Sequence, residues 1–254
     1  MNIIKITRTA IAVAITALTA SSCYIRISDE NKKDLKEISM NHKLMSEVIY
    51  GPGDSLVYKP GEFHAIDAAI WVDIIFEQRE GEPEVVVKGS TRVRDSIKVE
   101  NIDGTLRIFF QNTAGGVIYT KDEYIKVYAP GLDDINKSGS GDLTVSGTLK
   151  GENLSISKSG SGDMYLERCE IQGPVTLLKT GSGDIEASVK CLSMDVDASG
   201  SGDVFLRGEA TDVSLKMSGS GDMDASKLKA DKVTVAKNGS GDITYMDGDV
   251  VKEL

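Results

Sequence analysis

One five-residue phrase recurs six times in the second half of this chain, and its spacing restricts the fold more than any bulk property does. The copies are Ser138-Gly139-Ser140-Gly141-Asp142, Ser159-Gly160-Ser161-Gly162-Asp163, Thr180-Gly181-Ser182-Gly183-Asp184, Ser199-Gly200-Ser201-Gly202-Asp203, Ser218-Gly219-Ser220-Gly221-Asp222 and Asn238-Gly239-Ser240-Gly241-Asp242. Successive aspartates lie 21, 21, 19, 19 and 20 residues apart. Small turn-forming residues returning about every twenty positions mark a stacked coil, in which each repeat is one supersecondary unit.

The residues around each copy keep a fixed register. One position after the aspartate stand Leu143, Met164, Ile185, Val204, Met223 and Ile243, and three after it stand Val145, Leu166, Ala187, Leu206, Ala225 and Tyr245. Between them come Thr144, Tyr165, Glu186, Phe205, Asp224 and Thr244, which are mostly not core residues. That is the inside–outside alternation of a short strand. A second apolar pair precedes each following copy, as in Leu154 and Ile156 or Val213 and Leu215. Each coil therefore offers two short strands. One coil cannot bury its apolar row alone, but coils stacked about 4.8 Å apart can do so by pairing in parallel.

The glycines and aspartates read as parts of a structural corner. A tight turn repeated at every rung needs backbone angles that residues with a Cβ resist, and a side chain there would strike the next rung. The central serines, from Ser140 to Ser240, would form a ladder of hydroxyls. Six stacked carboxylates repel one another by roughly 1 kcal/mol per neighbouring pair in a water-like dielectric. Two things can offset this: backbone N–H donors to the aspartates, and Lys137, Lys158, Lys179 and Lys237, each five residues before a motif aspartate. Ala198 and Met217 interrupt that lysine row. Glycine–aspartate repeats also bind calcium in nonapeptide rolls, but the period here is near twenty and lysines lie close by. The expectation is no metal and no cofactor.

The first residues read as an export signal. Lys5 and Arg8 precede an apolar run at Thr9–Thr19 too short to cross a bilayer. The run ends in Ala20-Ser21-Ser22-Cys23. This looks like a bacterial lipoprotein signal, with Ala20 where leucine is usual, and it implies lipid attachment at Cys23. The plainer alternative is a cleaved signal followed by an incidental cysteine. Without Lys5 and Arg8 the chain holds 27 basic and 39 acidic residues, a net charge of −12. That argues against nucleic acid as a partner. The expected organisation is a signal at 1–22, a polar tether at 23–60 and one domain at 61–254. A helix is expected over Asn31–Ile49, ended by Gly51-Pro52-Gly53.

From Phe63 onward strands are expected at Ala65–Phe76, Glu84–Lys88, Ser96–Val99, Leu106–Gln111 and Tyr124–Tyr128, with Asp103-Gly104 as a hairpin turn. They would form less regular coils or a cap. Cys169 and Cys191 lie six and seven residues after their motif aspartates. Stacked rungs put such positions at disulfide distance, but the one-residue offset equally suits two separate thiols facing different ways.

The strand-rich start, the segment Tyr124-Ile125-Lys126-Val127-Tyr128-Ala129-Pro130-Gly131-Leu132 and the repeated S-G-S-G-D together resemble the head GIN domain of autotransporter adhesins over residues 61–254. The resemblance implies an all-β, right-handed parallel β-helix and an adhesive role. Two positions depart from the pattern behind the family's name: Glu186 follows Ile185, and Thr244 follows Ile243. The closing residues Val251-Lys252-Glu253-Leu254 lack the aromatic terminal strand of a membrane barrel.

Three functional classes compete. A lipid-anchored binding or adhesion module would use the solenoid face for a glycan or protein ligand, with Tyr165 and Phe205 as candidate contacts. The plain reading of these two aromatics is that they cover the strand surface, and the discriminating observation is their exposure. An enzyme is disfavoured because no Ser/His/Asp or metal-ligand constellation is readable, and the histidines are His42 and His64. A structural or assembly protein would associate, with itself or another chain, through the end of the solenoid. The sequence favours the first: a non-catalytic protein anchored at the outer membrane, with the displaying face left open.

Overall fold

The computed structural model describes residues 47–50, 55–111, 123–246 and 249–252, with the two short end segments described through their backbone. The signal at 1–22, Cys23 and most of the expected helix lie outside the described residues. Among the described residues, eighteen strands join in one continuous sheet, with one short helix, α1, at Thr91–Ser96. The architecture is a parallel β-solenoid of about six turns.

The repeats form the stack as their alternation requires. After each aspartate runs a strand: β10 (Leu143–Gly151), β12 (Met164–Ile171), β14 (Ile185–Gly200), β15 (Val204–Gly219), β16 (Met223–Lys237) and β17 (Ile243–Tyr245). Leu143 pairs with Met164, Met164 with Ile185, Ile185 with Val204, Val204 with Met223 and Met223 with Ile243, all in parallel. Before each following motif runs the second strand of the coil: β9 (Asp134–Ser138), β11 (Leu154–Lys158) and β13 (Pro174–Lys179). In β14, β15 and β16 both strands of a coil are continuous. β18 (Asp249–Lys252) closes the second row against β16. The apolar rows are buried, with Leu143, Val145, Met164, Ile185, Ala187, Val196 and Leu215 all at 0% exposure. The uneven spacing of the aspartates is absorbed by bulges. Between Phe205 and Arg207 the pairing of β15 with β16 slips, so partners 19 residues apart become partners 20 apart.

Of the strands expected between 65 and 128, those at Ala65–Phe76, Leu106–Gln111 and Tyr124–Tyr128 belong to the coils of this same solenoid. The single expected strand at Ala65–Phe76 is two, β3 (Ala65–Ala69) and β4 (Asp73–Gln78), joined by a corner at Ile70-Trp71-Val72. β3 pairs with β9 and β4 with β10, so this coil underlies the first motif. The next coil outward is β7 (Thr105–Phe110) on β3 and β8 (Tyr124–Ala129) on β4. The chain thus builds one coil, then its outer neighbour, and then crosses to the other side of the first to start the repeats. Gln78 secures that crossing: its amide donates to Pro130 O (2.6 Å) and Lys150 O (3.1 Å), and its carbonyl accepts from Lys150 N (2.7 Å).

Antiparallel strands cap this end. β6 (Ile97–Ile102) forms a hairpin with β7 through Asp103 (φ 50°) and Gly104 (φ 81°), the turn expected from Asp-Gly. β5 (Glu84–Lys88) lies on β8, β2 (Ser55–Lys59) on β5, and β1 (Glu47–Tyr50) on β2. The segment read as tether to residue 60 therefore holds two strands, and the end of the expected helix, 47–49, is extended. Leu56 and Tyr58 alternate inward and are buried, and that burial outweighs the polar composition around them.

Candidate functional site

At the repeat corner every motif aspartate but the last uses its carboxylate along the stack. Asp163 N donates to Asp142 Oδ1, Asp184 N to Asp163 Oδ1, Asp203 N to Asp184 Oδ1, Asp222 N to Asp203 Oδ1 and Asp242 N to Asp222 Oδ1, at 2.7–2.8 Å. These are charge-assisted bonds, and they offset the repulsion of the carboxylates by satisfying one backbone donor per rung. The ladder starts a rung earlier than the motif: Asp142 N donates to Asp73 Oδ1 at 2.9 Å. Sequence reasoning missed Asp73. Its signal was present, because Ile74 and Phe76 follow it at the offsets of the motif's apolar pair.

The glycines are required by the neighbouring rung. Gly181 has φ +92°, and a Cβ there would sit 2.5 Å from Gly160 O. A Cβ on Gly183 would meet both Gly162 O and Lys158 Nζ. The expected serine ladder is formed at one step among the described contacts, where Ser240 Oγ meets Ser220 Oγ at 3.4 Å. The central serines are exposed.

Lys137, Lys158 and Lys179 point into the core, where they are 2%, 2% and 0% exposed. The expected row across the corner from the aspartates is therefore internal. Lys137 Nζ donates to Ile70 O (3.1 Å) and Ser138 O (2.8 Å), and Lys179 Nζ to Gly202 O (2.6 Å). Lys158 Nζ makes no hydrogen bond among the described residues. Burial lowers Lys137 to about 8, opposed by Asp142 and reinforced by Lys158. Burial also lowers Lys158, reinforced by Lys179 and opposed by Asp163, and lowers Lys179 against the pull of Asp184 and Asp203. The aspartates thus neutralise the row only in part. Ala198 and Met217 fill the same inward position in later coils. Lys237 is exposed and pairs with Asp242 at 3.0 Å.

Cys169 pairs across the ladder with Val189, which leaves Cys191 two residues further on, and both cysteines are free thiols rather than a disulfide. Burial pushes Cys169 up to about 12 and Cys191 up to about 11. Thiols held protonated in this way are poor nucleophiles. Among the described residues no group of three or more His, Cys, Asp or Glu side chains is placed to hold a metal ion, and no helix is long and apolar enough to cross a membrane.

The outer side of the post-motif strands carries the two candidate aromatics. Tyr165 pairs with Glu186, and Glu186 with Phe205, so the three form one row across three successive coils. Tyr165 is 38% and Phe205 40% exposed, so neither is a covered core residue. The Tyr165 hydroxyl donates to Asp163 Oδ2 at 3.2 Å. Burial and the Asp163 carboxylate hold the phenol above its ordinary value. Arg207, two residues beyond Phe205 on the same coil, forms an ion pair with Glu186. Beside Phe205 lies a depression of about 210 Å³ lined by Glu186, Leu206, Arg207, Asp224 and Lys227. Asp224 is held below its ordinary value by hydrogen bonds from Ser226, whose N–H donates at 2.9 Å. A second shallow groove of about 200 Å³, lined by residues such as Thr176, Asp195, Ser214 and Thr234, runs over the pre-motif strands. Sequence reasoning singled out the two aromatics but not the charged pair beside them. The Glu186-to-Arg207 contact crosses rungs, so it depends on the 19-residue pairing of β14 with β15.

Residues 62–252 match the family described as "Putative auto-transporter adhesin, head GIN domain". Among solved structures, the chain resembles a "putative adhesin" from Bacteroides fragilis, with TM-score 0.69 and 23% identity over 83% of this chain and 93% of that one. It also resembles a "putative lipid binding protein" from Parabacteroides distasonis, with TM-score 0.67 and 23% identity over 80% and 94%. A "putative adhesin" from Parabacteroides merdae gives TM-score 0.59 and 17% identity over 84% and 93%. At these identities the likeness is one of fold. No curated protein matches the chain.

Proposed function

The chain belongs to the family of head GIN domains of auto-transporter adhesins, and on that footing we propose that it is a non-catalytic binding module of the bacterial envelope that adheres through the outer face of its post-motif strands. The observation that carries this reading is the row Tyr165–Glu186–Phe205, in which two exposed rings flank an ion-paired glutamate on a regular surface. Rigid aromatic area held by a scaffold is a common binding element. In this reading residues 1–22 export the chain, Cys23 carries the lipid, and the solenoid is displayed outward from the outer membrane. Support for a non-catalytic role comes from the chemistry of the described residues: the aspartates are committed to the ladder, the thiols are held protonated, and the inward lysines have no access to substrate.

The test is binding of fluorescently labelled protein to intact bacterial and epithelial cells, beside a Tyr165→Ala/Phe205→Ala variant. Saturable binding by the parent and its loss in the variant, at unchanged thermal midpoint, is the expected result. Equal binding by both would remove this face from the account.

A second reading, association through the end of the solenoid, is favoured by β17 and β18, which pair with β16 along one edge only among the described residues. Sedimentation that shows a monomer at all concentrations would dismiss it.

A further inference from the structure

We propose that the row Tyr165–Glu186–Phe205 binds a neutral, equatorially linked pyranose chain laid along the solenoid axis, one sugar per rung. This rests on the reading of that face as the binding surface. The register decides the geometry. Tyr165 and Phe205 are separated by the single coil that carries Glu186. Two rung spacings put the rings about 9.6 Å apart. Each sugar of an extended pyranose chain advances by close to one rung, so the two rings meet the first and third sugars of a trisaccharide.

The side chains suit those sugars. The C–H face of a pyranose is weakly positive and packs on the negative face of an aromatic ring, while its hydroxyls point outward from the ring edge. Over the middle sugar, Glu186 offers an acceptor and Arg207 a fork of donors, and hydroxyls can satisfy both without separating the pair. The depression beside Phe205 accepts a small uncharged substituent such as an N-acetyl group.

Charge selects the class. Arg207 is matched by Glu186, and the aspartate ladder, including Asp163 and Asp184, runs along the strand start beside the row. With a chain net charge of −10, a polyuronate or a phosphate polymer would be repelled. Thr144 and Asp224, which flank Tyr165 and Phe205 on the same row, are not aromatic, so the aromatic patch spans three coils and no more.

The experiment is titration calorimetry of the full chain with chitobiose, chitotriose, chitohexaose, cellohexaose and polygalacturonate. Chitotriose and chitohexaose should bind alike and more tightly than chitobiose, which reaches only one ring. Removing either ring, Tyr165→Ala or Phe205→Ala, should weaken chitohexaose by roughly three- to tenfold and abolish its advantage over chitobiose. Thr144→Ala, on the same row outside the patch, should leave affinity unchanged. Equal affinity for chitobiose and chitohexaose, no binding of either hexasaccharide, or preferred binding of polygalacturonate would each overturn the inference. So would binding of neutral phosphatidylcholine vesicles, lost in the double variant, in place of oligosaccharide. Cell binding without oligosaccharide binding sinks this inference and leaves the adhesion reading standing, whereas loss of both sinks both.

Discussion

Gly183 and Gly147 separate two demands that glycine meets in this chain. Gly147 has φ +76° with nothing within 4 Å of its would-be Cβ, so only its backbone angle resists substitution. Gly147→Ala should cost about 1 kcal/mol. Gly183→Ala would drive a Cβ into Gly162 O and Lys158 Nζ, and backbone cannot retreat without breaking the rung. It should cost about 3 kcal/mol or more, and urea denaturation of the two variants checks the ranking. The inward lysines make the opposite prediction. Met217 shows that an unbranched apolar side chain fits the position that Lys158 occupies. Lys158→Met should therefore raise stability at neutral pH, since it removes a buried amine that has no hydrogen bond among the described residues. The sign of the pH dependence follows from a folded value that lies below the unfolded one. For Lys137, with about 8 against 10.5, the penalty of charging is complete below pH 8 and is relieved as pH rises toward 10.5. The buried thiols act the other way above pH 9, because they resist ionisation in the fold. The useful quantity is thus the difference between the parent and Lys137→Met, which share those thiols. That gap should narrow steadily from pH 8 to 10.5, and a constant gap would show that Lys137 is charged throughout.

At the scale of the element, the repeated coils were legible because period, alternation and corner all point the same way. Glu84–Lys88 and the Asp103-Gly104 hairpin were legible for equally local reasons. The coil at 65–78 was read as one strand of a less regular coil or cap, without its corner, although its aspartate and apolar pair keep the motif's register. Its corner, Ile70-Trp71-Val72, contains no glycine. The physical reason lies in the stack: each motif glycine makes room for the corner of the rung before it, as Gly139 and Gly141 do for Ile70 and Trp71. In the rung before Ile70-Trp71-Val72, β7 ends at Phe110 and β8 begins only at Tyr124. Trp71 stacks on Phe110 there, with ring centroids 4.8 Å apart. Such an exchange of partners between distant segments has no local signature. Asp73→Ala tests whether this coil truly begins the ladder. It should cost about 1 kcal/mol and speed hydrogen exchange at the Asp142 amide well above that at Asp184. Unchanged exchange at Asp142 would mean that the ladder starts with the motif. Among the site residues, the exposure of Tyr165 and Phe205 followed from their place between two core positions. The inward turn of the lysines was present in the register, because Lys137, Lys158 and Lys179 stand an even step after the buried Ile135, Ile156 and Leu177, but charge argued for the outside and was given the greater weight.

For the whole molecule, the cap and the outward face carry the argument. β1 and β2 cover β5, whose edge would otherwise stay open. Removing residues 1–60 should therefore promote association, visible as concentration-dependent sedimentation, while the repeat coils keep their fold. The face with Tyr165 and Phe205 can serve adhesion only if it meets the exterior. The direct test is to treat intact cells that express the chain with a protease and follow the solenoid by immunoblot, with lysed cells as control. Loss of the domain from intact cells is the result expected of an adhesion module displayed on the cell surface. Survival on intact cells with loss after lysis would place it inside the envelope and contradict the account.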